Sequence, residues 1–253
     1  MFRCLVLLSF SLAGLLAAGT AVAQPATPSR CADCHFARPD APGQYHVLDW
    51  DRSPHGRNNV GCQACHGGDA TTFESLLAHR DIQHPSAPGS PLNPRNLPAT
   101  CGTCHAGPYV SFQDSEHFLM LRNGDRSAPT CVTCHGAAGT QLLSPRALEA
   151  RCNSCHGPDE AAARARRAAR ARELYEEIVI ARRELAEAQR FIRRTSDPAR
   201  RQKLQDAHQQ AEVPLIQAVH AGHTFEYDEL VQRLEVARQR TSALLEQLAN
   251  PGR

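Results

Sequence analysis

Beyond its first 23 residues this 253-residue sequence has one methionine, Met120, and one lysine, Lys203. No cysteine in that stretch lies outside a Cys-x-x-Cys-His string, and no run there is long and apolar enough to cross a bilayer. Aromatic residues make up only 5% of the chain, and the formal net charge is +2. Each shortage excludes something. With no cysteine left over, a general disulfide framework has nothing to build on. With one methionine, thioether sulfur cannot be the general ligand of several metals. The near-balanced charge gives no case for nucleic acid.

The N-terminus reads as a signal peptide over residues 1–23. Arg3 supplies the positive start, "LVLLSFSLAGLLAA" the apolar core, and Ala21-Val22-Ala23 an A-x-A cleavage site before Gln24. Cys4 falls in the removed segment. The expectation is a periplasmic or exported protein with no transmembrane anchor after cleavage.

The cysteines that remain form five strings. They are Cys31-Ala32-Asp33-Cys34-His35, Cys62-Gln63-Ala64-Cys65-His66, Cys101-Gly102-Thr103-Cys104-His105, Cys131-Val132-Thr133-Cys134-His135 and Cys152-Asn153-Ser154-Cys155-His156. Cys-x-x-Cys-His is the attachment signature of c-type haem. The two thiols form thioethers with the haem vinyl groups, and the next residue, histidine, reaches the iron. One such string fits a redox dithiol or half a zinc site equally well. Five, each complete, point to five covalently bound c-type haems (iron). The macrocycles then serve as the core of a region poor in large apolar residues.

A low-spin electron-transfer haem needs a second axial ligand, and the shortage of methionine assigns that role to histidine. Eight histidines lie outside the strings. His55, in "DRSPHG", and His117, in "DSEHFLML", share a serine-led context ahead of a string and read as distal ligands. At least one of His79 and His84, in "LLAHRDIQHPS", is expected to ligate. His46, in "YHVLDW", is a further candidate. In "VHAGHTFEYDEL", His223 is preferred to His220, because a histidine just ahead of a helix can reach back to a haem. His208 sits in a polar helical run and reads as a surface residue.

Composition divides the chain after residue 158. Residues 24–158 hold 14 of the 17 prolines and 12 of the 16 glycines, whereas residues 159–197 have neither. Apolar positions at Leu174, Ile178, Ala181, Leu185, Ala188 and Ile192 alternate steps of four and three, the seam of a helix packed on another helix. Leu230, Leu234, Ala237, Thr241, Leu244 and Leu248 repeat the pattern. Ser196-Asp197-Pro198 reads as a cap and a helix start, with interruptions near Pro214 and Gly222. The predicted fold is mainly α with extensive irregular loops. A haem-packed N-terminal domain (24–158) precedes a long antiparallel helical hairpin (159–253). Its seams close on each other and the haem region or, less favoured, across a homodimer. The arginine-rich "RARRAARAR" (164–172) reads first as a solvated helix face; docking an acidic partner and neutralising haem propionates are the alternatives.

The stretches "SPHGRNNVGCQACHG", "AHRDIQHPSAPGSPLNPRNLPATCGTCH" and "SEHFLMLRNGDRSAPTCVTCHG", with the helical tail and its "HTFEYDEL", resemble a class of multihaem c-type cytochromes. That class includes the tetrahaem cytochrome of nitrifying bacteria, pentahaem nitrite reductase and octahaem hydroxylamine oxidoreductase. The resemblance implies distal-ligand roles for His55 and His117, and more loosely for His79. Two departures stand out. The pentahaem nitrite reductases use Cys-x-x-Cys-Lys at the active haem, whereas every string here ends in histidine. "CHGAAG" after His135 lacks a histidine found there in relatives, so a ligand is missing or comes from the tail.

The favoured function is electron transfer through closely spaced bis-histidine haems in anaerobic or nitrogen/sulfur-compound respiration. The expected partners are redox proteins: a quinol-linked donor and a terminal reductase or outer-membrane conduit. The alternative is an enzyme that reduces nitrite or hydroxylamine at a five-coordinate haem.

Overall fold

A computed structural model describes residues 29–38, 40, 43–157 and 162–250. The expected signal segment and the junction after residue 158 lie outside these residues. Among the described residues there is no strand.

Proline and glycine density keeps the helices of the first region short. They are α1 (Arg30–Ala37), α2 (Gln44–Arg52), α3 (Pro54–Arg57), α4 (Gln63–His66), α5 (Ser75–Ala78), α6 (Leu97–Gly102), α7 (Ala106–Gln113), α8 (Glu116–Arg122), α9 (Cys131–His135) and α10 (Pro145–Asn153). Hydroxyl caps start several of them. Ser53 Oγ accepts from Gly56 N at 3.1 Å, Ser115 Oγ from Phe118 N at 3.1 Å and Ser144 Oγ from Ala147 N at 3.2 Å. Thr130 and Thr133 form a reciprocal box at the start of α9. The proline-rich loop before α6 is held by amides: Asn96 Nδ2 donates to Pro88 O at 2.7 Å and Ser90 O at 2.9 Å.

The large apolar core lies wholly in the second region, in α11 (Ala162–Arg194), α12 (Pro198–Ala221) and α13 (Asp228–Ala249). The two expected seams are buried as read, from Leu174 to Ile192 and from Leu230 to Leu244, with Leu248 packed at the edge. Thr241 keeps its place in the seam by donating to Ala237 O at 2.8 Å.

One expectation needs correction. Residues 159–197 and 228–248 do not pair as opposed partners, because α12 runs back between them. Arg200 reaches Gln247 O and Arg233 reaches Gln217 Oε1, so α12 and α13 are antiparallel. Arg167 pairs with Glu226 at 3.3 Å and Arg238 with Glu177 at 2.8 Å, so α11 and α13 run the same way. The result is an up-down-up bundle. Asp197 caps α12 by accepting from Ala199 N at 3.0 Å. Pro214 does not break this helix. Its missing N–H frees the carbonyl of Gln210, and Arg240 Nη1 donates to that oxygen at 2.8 Å.

The bundle is joined to the first region. α10 packs on α11, with Arg172 Nε on Glu149 Oε2 at 2.9 Å, and α7 packs against α12 and the 3₁₀ turn Gly222–Thr224 that follows it.

Candidate metal centres

Each string winds into one helical turn. His66, His105 and His156 N–H groups each donate at 2.9 Å to the carbonyl of the first cysteine, four residues earlier. That turn puts the two thiols, three apart, and the histidine on one face. Gly67 and Gly136 follow their histidines at φ of 76° and 80°, a backbone that lets the chain leave the turn at once.

None of the ten string cysteines is in a disulfide. Burial pushes the Cys62, Cys65, Cys134 and Cys152 thiols up, whereas the contact with Cys101 holds the Cys131 thiol down. Among the described residues no three His, Cys, Asp or Glu side chains converge as a protein-only metal cage. Consecutive strings are instead neighbours. Cys31 lies near Cys62, Cys65 near Cys101 and Cys104, Cys101 against Cys131, and Cys134 near Cys152 and Cys155.

Four of the five string histidines face a second histidine. Ring centres are 6.1 Å apart for His35 and His79, 6.0 Å for His105 and His55, 6.3 Å for His135 and His223, and 5.9 Å for His156 and His117. His66 has His46 beside it; burial first, then this neighbour, holds His66 below the ordinary histidine range. A metal–imidazole bond of about 2.0 Å on each side puts two ring centres about 6 Å apart. These four pairs therefore fit one iron each, leaving the in-plane positions to a macrocycle.

Ring orientation agrees. A carbonyl can only accept, so Nδ1 is the donor where His79 meets Ser75 O at 2.8 Å, His223 meets Val219 O at 2.9 Å and His135 meets Gln141 O at 3.2 Å. That tautomer leaves Nε2 with a free lone pair. Thr140 Oγ1 lies 3.0 Å from His55 Nδ1, across 85 positions of chain. Burial holds His55, His117 and His223 below the ordinary range and favours the neutral, ligating ring.

Local structure explains the serine-led context. Ser53 and Ser115 are each 1% exposed and cap α3 and α8, which puts His55 and His117 at the second helical position. His79 follows α5, and His46 lies on α2, whose Trp50 Nε1 donates to Val60 O at 2.8 Å.

Three histidines stand apart from these pairs. His84 Nδ1 accepts from Ser86 N at 3.2 Å, so the other nitrogen carries the proton of the neutral ring. His208 is not a surface residue: it is partly buried between helices, with Nε2 donating to Leu185 O at 3.1 Å. His220 lies over Gly107, where any Cβ would strike its ring.

The turn between α12 and α13 also brings residues that sequence reasoning did not assign. Phe225 sits edge-to-face with His117 at 4.6 Å, and Tyr227 is packed near Cys152, its phenol pushed up to about 12 by burial and by that thiol. The aromatic cluster in "HTFEYDEL" was the available signal, but nothing local says which string it meets. In the arginine-rich stretch, Arg172 bridges Glu149 and Glu176 and Arg170 pairs with Glu173.

Comparison with known proteins points the same way. Residues 16–67, which include the first two strings, match the family model "Cytochrome c554 and c-prime". The C-type polyheme cytochrome OmcC of Geobacter sulfurreducens is 28% identical over 119 residues, covering 43% of this chain and 14% of the relative. OmcB of the same organism is 28% identical over 123 residues, covering 45% and 14%. The chain thus spans only a small part of these relatives. No solved structure matches it. Together, the attachment strings, the facing histidines and these partial matches support a multihaem c-type cytochrome with covalently bound haem.

Proposed function

We propose that the chain is a periplasmic or exported pentahaem electron carrier in which every iron has two histidine ligands. The pairs are His35/His79, His66/His46, His105/His55, His135/His223 and His156/His117. One observation carries this reading: four of the five string histidines already face a second imidazole at a spacing that suits an iron between them, and the remaining one, His66, has His46 as a neighbour. Bound haem supplies reversible one-electron chemistry. The cysteines tether it, the paired imidazoles hold the iron from both sides, and the Nδ1 partners fix which ring nitrogen points inward. With a second histidine at each string, an open iron position for nitrite or hydroxylamine has no obvious place, which favours the carrier over the reductase.

The contact of consecutive strings supports a single electron path in chain order, from the first string to the fifth. Its ends would meet redox proteins, a quinol-linked donor and a terminal reductase or outer-membrane conduit, in anaerobic or nitrogen/sulfur-compound respiration. His84 has no place in this ligand set.

The test is haem stoichiometry and spin state of the protein made with full cytochrome maturation machinery. Five haems per chain, resisting acid–organic extraction, with only low-spin ferric signals in electron paramagnetic resonance, are expected. Fewer haems, or a dominant high-spin signal that shifts on adding cyanide or nitrite, would overturn the carrier reading.

A further inference from the structure

We infer that the fifth centre, His156/His117, has a higher reduction potential than its neighbour, His135/His223, so that an electron shared between them settles on the fifth. The inference rests on the bis-histidine reading above and adds a direction to it.

The two pairs differ around their Nδ1 atoms. In the fourth pair both Nδ1–H groups donate to carbonyls, His135 to Gln141 O at 3.2 Å and His223 to Val219 O at 2.9 Å. In the fifth pair both Nδ1 atoms are buried and have no partner among the described residues. A carbonyl that takes part of the Nδ1 proton makes the imidazole a stronger donor through Nε2. Stronger donation favours the more positively charged ferric state and lowers the potential. The fourth centre has this support on both sides, and the fifth has it on neither.

The surroundings act in the same direction. Phe225 lies 4.6 Å from the His117 ring, Phe112 lies 6.4 Å from Phe225, and Phe118 lies 5.6 Å from Phe112. An apolar shell disfavours the added charge of the ferric state and raises the potential. Phe225 is held at φ of 60°, a conformation unfavourable for a bulky side chain. Such strain persists only where its surroundings fix it. The two centres are adjacent, since Cys134 lies near Cys152 and Cys155. The step is one electron: the fourth centre is oxidised as the fifth is reduced, with no proton or co-reactant.

The test is an equilibrium redox titration of the holoprotein, followed by paramagnetic resonance of the low-spin signals. His117→Met and His223→Met identify the two centres by the signal each variant alters. The signal altered by His117→Met is expected to titrate, in the unmodified protein, at the higher potential. Equal or reversed order would overturn the inference and leave the ligand assignment standing. If neither variant alters any low-spin signal, the ligand assignment fails and the inference fails with it. Should the methionine variants not accumulate, Phe225→Asn decides. Asparagine tolerates the left-handed backbone and adds a polar group beside His117, so one centre should fall in potential without a spin change. No shift in any centre would overturn the inference.

Discussion

His223 lies against His135, ring centres 6.3 Å apart and planes inclined by 23°, although His135 closes the fourth string and His223 lies in the turn before the last helix. The helical tail thus reaches into the haem-binding region. If it does so as a ligand, His223→Ala should convert about one haem in five to high spin, because one strong-field ligand is lost. His220→Ala should leave the spin state unchanged. Paramagnetic resonance of both variants checks this; unchanged spectra for His223→Ala would leave the tail as scaffold only.

Gly107 offers an independent handle on the same junction. A Cβ there would strike the His220 ring. Gly107→Ala should loosen the α12–α13 turn and produce part of the His223→Ala signal, and adding His220→Ala should reverse it. The readout is the high-spin fraction in the single and double variants. A double variant no better than the single would rule out this steric route.

Ser53→Ala and Ser115→Ala remove buried caps from α3 and α8, the helices that carry His55 and His117. Each should cost about 1 kcal/mol, with the freed N–H left in a buried setting. Ser→Asp is a poor rescue at such buried sites, so Ser→Thr is the better control. Denaturant midpoints of the holoprotein measure the loss, and Ser→Ala variants as stable as the parent would count against the capping role.

The bundle core should respond independently of the haems. Leu234 is 2% exposed within the α13 seam, and Leu234→Ala should cost about 2–5 kcal/mol. Thermal unfolding should show the loss in the helical signal. If haem absorbance changes at the same temperature, bundle and haem region unfold as one unit; separate transitions would show two.

Much of this was legible in the sequence. The five strings are local in chemistry and in space, since one helical turn is enough to align two thiols and an imidazole. The seams of α11 and α13 were legible because Leu and Ile mark their period. The seam of α12 was not: Ala211 and Ala218 bury completely but look like ordinary helix formers, and Pro214 looked like a break. Only Arg240, on another helix, accounts for the carbonyl that Pro214 leaves free. The start of α12 at Pro198 was legible but its passage through Pro214 was not, and the direction of α13 relative to α11 follows from that continuous helix.

Residue types and spacing by themselves determined that this chain carries five Cys-x-x-Cys-His strings, that histidines outnumber methionines beyond them, and that helices follow. The tertiary structure decided which histidine meets which string, because those pairs join segments far apart in the chain and local pattern holds no information about such contacts. It also set the His79 Nδ1 against Ser75 O and the His84 Nδ1 against Ser86 N, and turned the His223 ring toward His135 and the His220 ring toward Gly107.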